Sequence, residues 1–253
     1  TASKLNNTLK VTKELKKKMN YSSVEVNPEN FIKNELKDYT LETGVIKLLV
    51  EYCKNDITKI GIFCRYHKQK NYERFAKVVK MLKDAGYVLQ VDWYGNKKEE
   101  IGGNNIDYLH FKELVESYCI DDVIYLNNHI KNVSDMMPKY DAICVPSLYE
   151  GWSNTISEGI CCGRPMLVGD VSDNGRMVKH QENGFLFNPK DEGSMYDALA
   201  KFLMTTYTER VLMGEKSRQL ANELFHADRF VNSYISLIEN SDHEKNDITS
   251  RMS

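Results

Sequence analysis

An α/β fold, a parallel sheet flanked by helices, is what this sequence predicts, and three observations carry the expectation. Apolar runs of strand length alternate with segments of helical periodicity. The connections between them are short, as in strand–helix–strand units. Glycines stand where elements should stop, at Gly86, Gly95 and Gly163. With 253 residues, 42% of them apolar, the chain can bury a core. At roughly 100–200 residues per domain it holds one large domain, or one domain and a piece of another.

Taken in order, Lys59–Cys64 reads as the first strand. Asn71–Ala85 reads as a helix with Phe75, Val78, Val79 and Leu82 on one face. Tyr87–Tyr94 is the second strand, Tyr108–Tyr118 a helix, Val123–Leu126 the third strand and Val133–Lys139 a short helix. Asp141–Pro146 is a short buried strand, and Ile156–Cys162 a helix closed by Gly163. Pro165–Gly169 and Gly184–Phe187 are the last strands, and helical segments follow near 192–205, 208–224 and 227–239. Ahead of the sheet, Val11–Met19 suggests a basic exposed helix, Ser23–Asn27 an isolated strand and Asn30–Asp38 irregular chain. The polar tail after Asn240 reads as disordered. The expected division is an N-terminal segment and linker over 1–56, the sheet domain over 57–225, and a last helix with a tail over 226–253.

Composition excludes several classes. A formal net charge of −2 argues against a general nucleic-acid partner. No apolar run approaches the ~20 residues that span a bilayer, and no signal-peptide pattern opens the chain. The six cysteines form no C-x-x-C pair and mostly lie in apolar segments, which reads as reduced thiols in a cytoplasmic protein. The six histidines are scattered without zinc spacing, so no metal is expected. The KELKKK run is ordinarily a solvated face, although it also suits peripheral contact with an anionic membrane surface.

In parallel sheets ligands bind beyond the carboxyl ends of the strands, so the loops there carry the candidate chemistry. The first strand runs into Arg65-Tyr-His-Lys-Gln-Lys70, which places cations between a strand and a helix N-terminus. A diphosphate would suit this place. Simple solvation of Arg65, Lys68 and Lys70 is the alternative, and no G-x-G-x-x-G dinucleotide fingerprint is present. The second cluster is PSLYEGWSNTISEGICCGRP, with Glu150 in a turn and Glu158 in the following helix. Glycine at 151 would let backbone approach a ligand, N–H groups near Ser153–Ile156 could face phosphate or hydroxyls, and carboxylates grip hydroxyls well. Against this, Thr155-x-x-Glu158 also fits a capping box, and Glu150 could be an exposed turn residue.

The segment 140–187 resembles the donor-binding region of retaining glycosyltransferases of family 4, which adopt the two-domain GT-B fold. Glu150 and Glu158 meet the family's E-x7-E, and P-S-L-Y-E-G, C-G-R-P, V-G-D and N-G-F-L-F match its flanks. Upstream, Arg65 and Lys70 meet its pattern of Arg, four residues, then Lys. The resemblance covers about 57–240, the Rossmann-like C-terminal half of the fold. It implies a hexosyltransferase that uses a nucleoside-diphosphate sugar, a glycan or lipid-linked acceptor and no cofactor, in polysaccharide or glycolipid synthesis. Arg65 and Lys70 would hold the diphosphate, Glu150 the donor sugar, and Glu158 the ribose. Backbone groups across Gly151, Trp152, Ser153, Asn154 and Thr155 would meet the sugar and distal phosphate, and the stretch after Leu126 would lie near the base. Front-face attack in this family leaves Glu150 without a nucleophile's role, and the leaving diphosphate is the main charge to stabilise.

The sequence departs from the family pattern at Cys64 and Asn71, where glycine is frequent, and at Gly159, where alanine is. The acceptor-binding N-terminal domain has no counterpart here, so these residues alone are expected to bind donor without transferring it. A non-catalytic nucleotide-sugar-binding module and a GT-B nucleotide-sugar epimerase are the alternatives.

Overall fold

The computed structural model describes residues 57–98, 103 and 105–228, and then 231, 232, 234–236 and 238. The elements expected at Val11–Met19, Ser23–Asn27 and Asn30–Asp38, and the tail after Asn240, lie outside the described residues. Six strands form one sheet: β1 (Thr58–Phe63), β2 (Leu89–Gly95), β3 (Ile124–Asn128), β4 (Ala142–Val145), β5 (Met166–Gly169) and β6 (Gly184–Phe187). Their order is β3-β2-β1-β4-β5-β6, and every pairing is parallel. The order reverses between β1 and β4, the switch point at which such a sheet opens a crevice at its carboxyl edge.

Seven α-helices lie wholly within the described residues: α1 (Tyr72–Asp84), α2 (Ile106–Ser117), α3 (Val133–Met136), α4 (Asn154–Cys161), α5 (Asn174–Met177), α6 (Glu192–Leu203) and α7 (Tyr207–Phe225). Alternation along the strands sorts the core into two layers. Ile60, Ile62, Cys144 and Leu167 face the layer holding Phe75, Trp93, Phe111 and Leu199. Phe63, Ile143, Val145, Met166 and Val168 face the layer holding Tyr140, Ile156 and Ile160. Helix α1 packs against α2 and α6, and α7 packs against α4. Each predicted strand and helix within the described residues is present with ends shifted by a residue or two. The exception is Val133–Lys139, which divides into α3 and a 3-10 turn at Met137–Lys139; α5 and the 3-10 turn at Lys68–Lys70 were not anticipated.

Local chemistry explains the ends. Gly86 follows α1 at φ +79 and Gly163 follows α4 at φ +64, conformations that a Cβ disfavours. Thr206 and Glu209 close a capping box at the start of α7. That helix stops at Phe225, where His226 turns extended, and the described residues from 227 to 238 are helical. No helix among the described residues is long and apolar enough to cross a membrane.

Candidate functional site

At the switch point, the loop leaving β1 and the loop leaving β4 lock together through backbone and amide contacts. The Leu148 N–H donates to the Gln69 carbonyl at 2.9 Å, and Gln69 Nε2 donates to the Tyr149 carbonyl at 2.9 Å. This brings Lys70 onto Glu150: Lys70 Nζ donates to Glu150 Oε1, which also accepts from Ser147 Oγ at 2.6 Å. The side chains of the pair are only 14% and 11% exposed. Low exposure strengthens such an attraction and makes either partner costly to leave alone. One carboxylate oxygen is thus committed, while Oε2 has no partner among the described residues. The Glu150 carbonyl accepts from Ser172 Oγ at 2.6 Å, tying the loop after β5 to the same turn.

Beyond Glu150 the chain enters α4. Ser153 is its N-cap, buried, but its hydroxyl caps no N–H group. From Gly151 to Ile156, no backbone N–H finds an acceptor among the described residues. These are the orphan donors of a helix start, gathered beside two cations at the carboxyl edge. The capping-box reading of Thr155 and Glu158 does not hold, because the cap falls at Ser153 and its third helical residue is Ile156. Thr155 Oγ1 instead donates to the Phe63 carbonyl at 3.0 Å, pinning the start of α4 to the end of β1. The Glu158 carboxylate is exposed and makes no hydrogen bond or ion pair among the described residues. Asn154 is also exposed.

Two residues of the turn differ in kind. A Cβ built on Gly151 would meet nothing within 4 Å, so packing does not require glycine there. Trp152 directs its indole to the protein. Nε1 donates to Ser157 Oγ at 3.0 Å, the ring meets Phe225 edge-on at 6.3 Å, and the Arg176 guanidinium lies 5.7 Å above it. The side chain of Trp152 therefore braces the turn against the end of α7.

Arg65 is exposed, with Nη2 donating to Gln69 Oε1 at 3.1 Å. It borders a cavity of about 240 Å³ lined by Phe63, Cys64, Tyr94, Asn96, His129 and Ile130 among others. The floor is aromatic: Phe63 and Tyr94 stack at 5.2 Å. Burial pushes the Cys64 thiol up to about 12 in spite of Lys70, so it stays neutral beside the cations. The stretch after Leu126 supplies His129 and Ile130 to this cavity. Sequence reasoning missed Gln69, Ser147 and Ser172. Each is an uncharged polar residue between a strand and the next helix, and its role depends on which connections the sheet order brings together. A larger cleft of about 340 Å³ lies at the opposite, amino edge, lined by Arg164, Arg210 and Arg218. There Arg210 faces Asp141 at 3.5 Å, and Arg164 is spent on the carbonyls of Cys162, Gly163, Pro138 and Tyr140.

The departures from the family pattern have local reasons. Asn71 lies at φ +59, the left-handed region that glycine, and after it asparagine, tolerates best. A Cβ on Gly159 would come within 2.7 Å of Met166 Sδ, so the large Met166 takes the space an alanine would need. Among the described residues, no group of three or more His, Cys, Asp or Glu could hold a metal ion.

A six-stranded parallel sheet with its polar site at the switch point is a Rossmann-like domain, the architecture expected of one half of a GT-B fold. The chain belongs to the family described as Glycosyl transferases group 1, whose model matches residues 57–205. It is 26% identical over 171 residues to Glycosyltransferase 1 domain-containing protein 1 of Xenopus tropicalis, covering 64% of this chain and 48% of that protein. It is 24% identical over 116 residues to the UDP-Gal:alpha-D-GlcNAc-diphosphoundecaprenol alpha-1,3-galactosyltransferase of Escherichia coli, covering 43% of this chain and 29% of that enzyme. The chain thus spans about half or less of these relatives. Among solved structures, sucrose-phosphate synthase from Thermosynechococcus elongatus superposes with TM-score 0.65 at 18% identity, covering 75% of this chain and 46% of that one. HepE of Anabaena in complex with UDP superposes with TM-score 0.63 at 14% identity, covering 86% and 54%.

Proposed function

We propose that this chain is the donor-binding half of a retaining glycosyltransferase that moves a hexose from a nucleoside-diphosphate sugar to a glycan or lipid-linked acceptor. The observation that carries the reading is the Lys70–Glu150 pair set beside the open N–H groups of α4 at the switch point. The diphosphate would lie between Arg65, Lys70 and those N–H groups, which together neutralise the charge that grows on the leaving group. The base would enter the aromatic-floored cavity next to Arg65, and Glu158 would take the ribose hydroxyls with its uncommitted carboxylate. Glu150 Oε2 is the oxygen left for the donor sugar. Because Oε1 is held by Lys70 and Ser147, a positioning role suits Glu150 better than attack on the anomeric carbon.

A uracil nucleotide is the favoured donor, since one relative is named for UDP-Gal and one structural neighbour was solved with UDP. The cations and helix start already supply positive potential, so donor binding needs no metal. The acceptor would be held by a second GT-B domain, so these residues alone would bind donor and not transfer it. The work would be done in the cytoplasm, at most in peripheral contact with a membrane, and would serve polysaccharide or glycolipid synthesis.

The test is a thermal-shift screen of UDP-, GDP- and ADP-sugars, followed by a transfer assay on the purified chain. The expected result is a shift with at least one donor class and no transfer. No shift with any donor would overturn the reading, and transfer to an external acceptor would overturn the division of labour between domains.

A further inference from the structure

Asn71 follows Lys70 directly, and only part of its geometry is explained by the turn it makes. The backbone needs a residue that tolerates φ +59, which glycine does at no steric cost. The side chain does not cap α1, although Asn71 is the N-cap residue. It is 4% exposed, and its amide reaches across three loops instead. Nδ2 donates to the Pro146 carbonyl at 3.1 Å and to the Pro189 carbonyl at 2.8 Å. Oδ1 accepts from Arg74 Nη1 at 2.9 Å, and that nitrogen also donates to the Pro189 carbonyl at 3.2 Å.

These partners sit at informative places. Pro146 leads from β4 into Ser147, whose hydroxyl holds Glu150. Pro189 follows β6. The same junction is tight from the β5 side, since a Cβ on Gly169 would come within 2.8 Å of the Ser147 carbonyl and 3.2 Å of Pro189 Cβ. One buried amide therefore joins the carboxyl-end loops of β1, β4 and β6; it lies one residue after Lys70 and holds a carbonyl four residues before Glu150. A buried amide with its hydrogen bonds made is rigid, and losing the donor would leave the Pro146 carbonyl short of a partner and the Pro189 carbonyl with Arg74 alone.

We infer that Asn71 is a positioning residue that holds Lys70 and the Glu150 turn in register for the donor diphosphate. It touches no donor atom itself and acts through Lys70. The inference rests on the function proposed above, and it goes beyond it by assigning a role to a residue outside the Arg65–Lys70 and Glu150–Glu158 patterns.

The test uses Asn71→Gly, which keeps the left-handed backbone and removes only the amide. Nucleoside-diphosphate affinity is titrated in the wild-type and Lys70→Met backgrounds, with melting curves. In the wild-type background affinity should fall roughly tenfold or more, the scale produced by misplacing a binding group. In the Lys70→Met background the same change should cost less than about twofold, because the group it positions is gone. If Asn71→Gly does not fold, Arg74→Met releases the Oδ1 anchor and Arg74's own bond to the Pro189 carbonyl while leaving both Nδ2 bonds, and should show a smaller loss that again vanishes with Lys70→Met. No saturable binding by the wild type would overturn both this role and the function it rests on. Wild-type binding that Asn71→Gly leaves unchanged, or an equal loss in both backgrounds, would overturn the positioning role alone.

Discussion

Replacing Lys70 by Met keeps a long side chain and removes one charge from the centre of the site. Two effects separate. Toward a ligand, a charge-assisted hydrogen bond to a diphosphate is lost, worth roughly 1.5–3 kcal/mol, or about ten- to a hundredfold in Kd. Within the protein, Glu150 loses its cation while its side chain is only 11% exposed. Breaking a fully buried pair costs about 3–5 kcal/mol. Glu150 keeps its bond from Ser147 and some contact with water, so a smaller loss, about 1–3 kcal/mol, is expected. For a domain of this size that lowers the melting temperature by roughly 2–4 °C per kcal/mol. Adding Glu150→Gln removes the stranded charge and keeps an acceptor for Ser147. The double variant should therefore regain stability without regaining nucleoside-diphosphate affinity. Isothermal titration and melting curves on the three proteins read both quantities. A folded Lys70→Met protein with wild-type affinity, or a double variant that regains affinity with its stability, would refute the assignment of Lys70 to the diphosphate.

The two glutamates should separate by ligand. Glu158→Gln is expected to weaken the free nucleoside diphosphate and the intact donor alike with no change in melting, since its carboxylate has no partner to lose; equal nucleotide affinity would remove it from the ribose. Glu150→Gln should weaken the intact donor and largely spare the free diphosphate, and equal losses on both would remove it from the sugar. Gly151→Ala should leave the melting temperature unchanged, because a Cβ there meets nothing, yet weaken donor binding by crowding the backbone approach; a loss of stability in place of affinity would count against that approach. Alkaline pH should destabilise the fold. A thiol raised from 9.0 to about 12 holds its proton longer folded than unfolded, so the contribution of Cys64 is complete below pH 9 and falls away as pH rises toward 12. Tyr66, Tyr72 and Tyr140, all pushed above the usual tyrosine value by burial, act in the same direction. A melting temperature that rises between pH 9 and 12 would contradict this sign.

Much of this site was legible because its parts sit in local sequence. The apolar runs located β1, β4 and β5, and the loops after them had to carry any ligand chemistry. Arg65, Lys70 and Glu150 stood in those connections, and Glu158 in the helix that follows the second of them. What could not be read was anything decided by strand order. Lys70 and Glu150 are 80 residues apart, and only the β1–β4 adjacency brings them into contact. The ambiguity over Thr155 and Glu158 was of the same kind: the capping pattern fits by spacing, but the β1–β4 adjacency brings the start of α4 to the end of β1, where Thr155 donates to the Phe63 carbonyl. Helix α5 escaped notice because four residues give no period to detect. Trp152 is ordinary as a sequence position, and its brace against Phe225 follows from where α7 ends.

The proposed function requires that a nucleoside diphosphate bind at the carboxyl edge between β1 and β4. A crystal structure of this protein soaked with UDP, in the presence of a chelator, tests it most directly. The diphosphate is expected within hydrogen-bond distance of Lys70 Nζ and the first N–H groups of α4, with the base in the cavity beside Arg65 and no metal between the phosphates. A diphosphate held instead in the larger amino-edge cleft by Arg164, Arg210 and Arg218, or bound only when a divalent metal is restored, would contradict it.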